Sequence, residues 1–230
     1  MSSSATSAFP HGGDNLGRGA ALLSIVATIY FLCAAVAAHV VSPQYDILGD
    51  YLGDYARGPY GWIYGSAFWA SFIATLALTL ALSRLAPSTA LSRVGLILMI
   101  VVAVTFPIEY FFPTDILLPG AAPTTTSGVI HVIAAVVEWT LFPLAALLLT
   151  LTLRRDPDWA RGYRRLLGLA LLSILLLAAL WLVIAVKAPF GGLADKLFFL
   201  DRNLWALLAG VMALKAGDPK RTAPREGQRP

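Results

Sequence analysis

LLGLALLSILLLAALWLVIAV, residues 166–186, runs without a charged side chain and with Ser173 as its one hydroxyl. A helix of this length rises about 30 Å, the thickness of a bilayer's hydrocarbon core. In hydrocarbon each backbone N–H and C=O must find an internal partner, which a helix provides by itself. Leu166–Val186 is therefore predicted to be a membrane-spanning helix, and it sets the scale for the rest of the chain.

Five more runs meet the same test: Ala20–Val41, Trp62–Leu85, Val94–Phe112, Gly128–Leu153 and Leu197–Leu214. They are too long and too weakly alternating to be barrel strands. The chain has 230 residues, 58% of them hydrophobic and 13% charged. Soluble domains carry about a quarter charged residues, so a soluble fold of this size would leave apolar surface uncovered. The reading is all-α, a polytopic bundle of six transmembrane helices.

The breaks between runs have local causes. Pro87 and Ser88 part the second and third spans, and Pro113, Pro119 and Pro123 hold open the loop after the third. The basic stretch from Arg154 to Arg165 separates the fourth and fifth. Pro189 with Gly191 and Gly192 is expected to make the turn before the sixth. Residues 1–18 and 216–230 read as disordered tails around a membrane domain of residues 19–215. Ala35-Val36-Ala37 resembles a leader-cleavage site, but the apolar run continues to Val41, which favours a retained span. No strong internal repeat is present.

Charge orients the bundle. With the N-terminus inside, thirteen of the seventeen Lys and Arg fall on the cytoplasmic side: Arg18, Arg84, Arg93, Arg154, Arg155, Arg161, Arg164, Arg165, Lys215, Lys220, Arg221, Arg225 and Arg229. Arg57, Lys187, Lys196 and Arg202 fall on the other. The positive-inside rule then puts both termini in the cytoplasm of a prokaryotic inner membrane. The net charge of +4 is a topology signal here, with no basic face of the kind nucleic acid requires. The single cysteine, Cys33, excludes an internal disulfide and reads as a small buried hydrophobe.

The polar residues gather on the expected outer side. Asp46, Asp50 and Asp54 are spaced to share one face if their stretch is helical, where they would repel. Tyr45, Tyr51, Tyr55, Tyr60, Trp62, Tyr64 and Trp69 read as an interfacial aromatic belt or as a platform for a headgroup. Glu109 and Glu138 lie within spans, where an ionisable group is costly and functional by default. His131 and Glu138 project from one face of the fourth span. Arg202 is expected to answer an acid on another helix, with Asp46, Asp54 and Glu138 as the choices. His131 with Asp54 and Asp115 has the ligand types of a divalent-metal site, and His39 with His131 those of a haem site. Neither set has a supporting spacing motif, so no cofactor is named. The loop and helix signatures of ATPases, zinc proteases, serine hydrolases and kinases are absent.

Three segments resemble a known family. They are Gly53-Asp-Tyr-Ala-Arg-Gly-Pro-Tyr-Gly-Trp62; Phe112-Pro-Thr-Asp115 followed by Gly128-Val-Ile-His131 and Ala135; and Gly192-Leu193 with Asp195-Lys196 and Leu204-Trp205. In this order, across about residues 20–215, they are similar to the domain-of-unknown-function 998 family of bacterial and archaeal membrane proteins, although Lys196 stands where that family more often has arginine. The resemblance implies a six-span membrane protein, supplies no activity, and carries over Asp54, Gly58, Trp62, Asp115 and His131. A fainter likeness in layout, to DRAM-type and GPI-remodelling-type membrane proteins, hints at lipid handling. Three functions follow as expectations. The first is binding of a lipid or small ligand near the outer face by Asp54, Trp62, Asp115, His131 and Glu138. The second is a membrane enzyme using His131 with Asp54 and Asp115. The third is a proton-coupled carrier using Glu138, or a scaffold for another membrane protein.

Overall fold

The computed structural model describes residues 14–115 and 122–218. The expected tails therefore lie largely outside the described residues, as do Pro119 and the basic residues from Lys220 to Arg229. Among the described residues there is no strand. Six long helices follow one another: α1 (Asn15–Val41), α2 (Gly61–Leu85), α3 (Ala90–Phe111), α4 (Thr126–Thr152), α5 (Ala160–Ala185) and α6 (Gly191–Ala216). All six are long and apolar enough to cross a membrane.

Each helix packs on the next in sequence, and α6 returns to α1, so the bundle closes into a ring; α2 also reaches across it to α6. In lipid, apolar side chains gain little from meeting each other, so close backbone approach decides which faces join. The buried faces accordingly carry small residues: Ala20, Ala21, Ala34 and Ala38 on α1 oppose a helix that buries Ala67, Ala70, Ala74, Ala77 and Ala81. The opposite faces present Val26, Ile97, Ile133 and Leu175 to the surroundings, as lipid-facing surfaces should. Cys33 is on such a face, exposed and not buried as the sequence suggested, because its neighbours Phe31 and Ala34 take the inward positions.

Helix ends are secured by side chains. Asp14 caps α1 through the Gly17 amide at 2.9 Å and accepts from Arg84 Nε at 2.6 Å, tying the start of α1 to the end of α2. Its carboxyl is held below the ordinary value, first by the Gly17 amide and then by Arg84. Thr89 and Ser92 form a reciprocal capping box on α3.

The local structure corrects two expectations and decides one that was conditional. Gly191 and Gly192 are the first turn of α6 and not a turn before it, so α6 begins six residues before Leu197 and carries Asp195 and Lys196 on the helix. Glycine is required there by proximity: a Cβ on Gly192 would strike the Asp50 backbone, and one on Gly191 the Tyr51 side chain. The Asp46–Asp54 stretch is not an α-helix but a series of turns ending in a short 3₁₀ segment, Leu52–Ala56, so its acids do not share a helical face. Finally, α1 begins at Asn15 and α5 at Ala160, which places Arg18, Arg161, Arg164 and Arg165 on helical turns.

The α3–α4 contact is a sharp test of this packing. A Cβ on Gly95 would lie 2.7 Å from Leu149 Cγ, whereas one on Gly168 would meet nothing within 4 Å. Gly95→Val is expected to cost about 1–3 kcal/mol, lowering the thermal midpoint of the purified protein. Gly168→Ala should leave that midpoint unchanged or raise it.

Candidate functional site

Three connections meet at one end of the bundle: residues 42–60 between α1 and α2, the described residues 112–115 and 122–125 between α3 and α4, and 186–190 between α5 and α6. At this long-loop end lies a cavity of about 450 Å³. Its walls come from α2 to α6 and its cover from the first loop.

The loop is organised by its own acids. Asp46 accepts from the amides of Leu48 and Gly49, Asp50 accepts from the Asp46 amide at 2.6 Å, and Asp54 accepts from the Tyr51 amide and from Arg57 Nη2, both at 2.8 Å. The mutual repulsion expected of these acids is thus relieved by backbone donors and one arginine. Burial nevertheless pushes the Asp54 carboxyl above its ordinary value, against the pull of Arg57. Tyr55 packs its ring on His39 and Tyr45, and burial lifts its phenol to about 12.

The first turns of α6 hold this loop down. Asp195 Oδ2 accepts from the Leu52 amide at 2.9 Å, and Leu193 N donates to Leu48 O at 3.0 Å. Lys196 Nζ donates to the carbonyls of Asp50 and Gly192 and stands 5.4 Å from the centre of the Tyr55 ring. One oxygen of Asp195 is thereby used. The other, Oδ1, is buried without a partner.

His131 and Asp115 shape the α3–α4 side. His131 Nδ1 lies 3.2 Å from the Glu109 carbonyl and 3.0 Å from that of Phe112, two groups left open by the end of α3. Carbonyls only accept, so Nδ1 bears the proton and a neutral ring offers its Nε2 lone pair. That nitrogen faces Gly53, where a Cβ would come within 2.9 Å. Asp115 accepts from the amides of Thr124 and Thr125 and from the Thr125 hydroxyl, which itself caps α4. Those donors, the Thr125 hydroxyl foremost, draw its carboxyl down to about 2.

Behind the cavity is a buried charge cluster. Glu138 is fully buried, and its Oε1 lies 3.3 Å from Arg202 Nε, an ion pair whose angles fall short of a hydrogen bond. Of the three acids weighed for Arg202, Glu138 is the partner. Arg202 Nη2 donates to Thr75 Oγ1 at 3.2 Å, and the guanidinium sits among Phe106, Phe142 and Phe199, 4.6–5.7 Å from their ring centres. Glu109 faces Glu138 and Arg202 from α3 and leaves its Oε1 unpartnered. On the other side of α6, the Ser173 hydroxyl of α5 hydrogen-bonds Asp201.

The expected site residues thus separate. Asp54, Asp115 and His131 all border the cavity. Glu138 lies next to Glu109 and does not line it. Trp62 is 71% exposed and outside it, on the surface together with Tyr60, whereas Tyr55 and Tyr64 of the same aromatic series are buried. Among the described residues no three His, Cys, Asp or Glu side chains gather as a metal site. Asp54 and Asp115 are each already engaged, and His39 holds the Ala35 carbonyl while lying on Tyr55. Sequence reasoning missed the apolar wall formed by Trp139 and Trp181, whose rings meet edge to face at 6.3 Å. Their only signal was the presence of an indole within each of two apolar spans.

Removing one partner from a buried ion pair strands the other, and contacting residues couple by about 0.5–3 kcal/mol. Glu138→Gln and Arg202→Gln should each lower the thermal midpoint. In a double-mutant cycle their effects should fall clearly short of additive. Strict additivity would remove the pair as a structural element.

A family model described as "Protein of unknown function (DUF998)" matches residues 25–212. No curated protein and no solved structure matches, so the fainter DRAM-type likeness gains no support. The match spans all six helices, from within α1 to near the end of α6. The chain therefore belongs to the DUF998 family and is a multi-pass integral membrane protein.

Proposed function

We propose that this protein binds a lipid or small amphiphile in the cavity at its long-loop end, and that this end faces outward from the cell membrane. One observation carries the reading: the cavity joins an apolar wall to buried polar atoms that have no partner. Val132, Val136, Trp139, Trp181 and Ile184 supply the first; Glu109 Oε1, Asp195 Oδ1 and Trp139 Nε1 supply the second. A buried polar group without a partner costs about 1–3 kcal/mol, a cost a ligand's complementary groups would remove. The volume also falls in the usual range for small-molecule sites, about 300–1,000 Å³. The outward orientation rests on the excess of Lys and Arg at the opposite end.

An enzyme is a second reading with one observation behind it. The two carbonyls fix the proton of His131 on Nδ1, which leaves Nε2 available as a base beside the cavity.

Native mass spectrometry of the gently released protein tests both. The wild type should carry a stoichiometric lipid. Ala135→Trp, which fills the cavity, should lose it, and Ile133→Trp on the exposed face should keep it. A wild type free of ligand would sink the binding reading. A lipid mass that changes with time in the wild type, but not in His131→Ala, would mark an enzyme.

Orientation is tested in a Cys33→Ala background. On intact cells a membrane-impermeant maleimide should label Tyr60→Cys and spare Ser88→Cys. The reverse pattern would invert the bundle.

A further inference from the structure

Glu109 and Asp195 enter the cavity from different helices, α3 and α6, and each is nearly fully buried, at 4% and 2% exposure. Each also has one carboxylate oxygen with no hydrogen-bond partner. Most of the nearby cations are held by other groups as well. Arg202 pairs with Glu138 and also acts on Glu109, Arg57 pairs with Asp54, and the Lys196 ammonium, which attracts Asp195, spends hydrogen bonds on two backbone carbonyls. Lys187 lies exposed at the rim. His131 adds a further acceptor at Nε2, since its proton is fixed on the other nitrogen. The polar wall therefore offers mostly acceptors, and the aromatic rings of Tyr64 and Phe68 line it as well. Trp139 Nε1 is the one unpartnered buried donor among the lining residues.

From the convergence of Glu109 and Asp195 on a cavity with an apolar wall, we infer that the ligand is a cationic amphiphile whose ammonium head lies between these two carboxylates. The inference rests on the binding function proposed above and names its ligand class. An ammonium brings several hydrogen-bond donors at one atom, enough for both of the free oxygens that lack one. Aromatic faces favour the same charge once it leaves water. A phosphate head would place like charge against buried carboxylates, which is strongly unfavourable. A hydroxyl head has one proton to donate and would satisfy only one of the two acceptors. The alkyl part would lie along Val132, Val136 and Trp181, with Trp139 Nε1 free to donate to an oxygen near the head.

The test uses the full chain in phosphatidylcholine nanodiscs, titrated calorimetrically at neutral pH with octylamine, octanol and octyl phosphate. Ala135→Trp serves as the blank for partitioning into the lipid. Octylamine, as its ammonium, should bind the wild type about tenfold or more tightly than octanol, with octyl phosphate weakest. Glu109→Gln and Asp195→Asn should each remove most of that preference while octanol binding persists. Asp195 also holds the Leu52 amide, so Glu109→Gln is the cleaner variant, and the wild-type ranking needs no variant at all. Equal binding of octanol and octylamine, or a preference for octyl phosphate, would overturn the cationic head while leaving the cavity a binding site. Heats that are the same in Ala135→Trp as in the wild type for all three compounds would overturn both.

Discussion

Arg202 lies near the middle of α6 and is buried among three phenylalanines. A guanidinium stays charged even in such surroundings, so the fold must bring a counter-charge to it. Glu138 on α4 supplies that charge across the bundle, Thr75 on α2 takes one of the remaining donors, and Glu109 on α3 approaches the same group. Four helices are thereby committed to one arrangement around a single side chain. Packing of alanine faces alone would tolerate sliding or rotation of the helices, because lipid and protein are similarly apolar. A buried ion pair does not, since a small displacement strands a charge.

The same logic recurs at the long-loop end. The first loop has no regular ladder to use up its amides, and its acids take that role. Asp46, Asp50 and Asp54 accept from amides within the loop, and Asp195 accepts the Leu52 amide from α6. The acidic cluster whose members were expected to repel is thus mostly internal scaffolding. What the scaffolding leaves over is informative. Other buried polar atoms also lack partners, the Glu138 oxygens and one of Asp201 among them, but these lie off the cavity, whereas Glu109 and Asp195 each keep a free oxygen on it.

Several of these features were legible as residues but not as a site. His131, Asp54 and Asp115 stood out by type, and all three do border the cavity. Trp62 stood out equally and faces away, because sequence spacing says nothing about which side of α2 meets its neighbours. Glu138 and Arg202 were each conspicuous as charges in apolar runs, and their pairing was one of three options the spacing allowed. Gly191 and Gly192 were misread for a physical reason. Glycine pairs commonly end helices, yet here they open one, because the Asp50 and Tyr51 segment lies too close for any side chain.

The sequence by itself determined six apolar helices and the loops between them, because helix length against bilayer thickness and the distribution of Lys and Arg are properties of the chain read in order. It also determined that several charges would need partners within the bundle. Only the tertiary structure decided which partners those are, where the cavity lies, and which acids remain unpaired. Those outcomes depend on the rotation and depth of each helix against its neighbours, set by small-residue contacts, buried charge pairs and hydrogen bonds between positions far apart in the chain, Asp50 and Lys196 being separated by 146 residues.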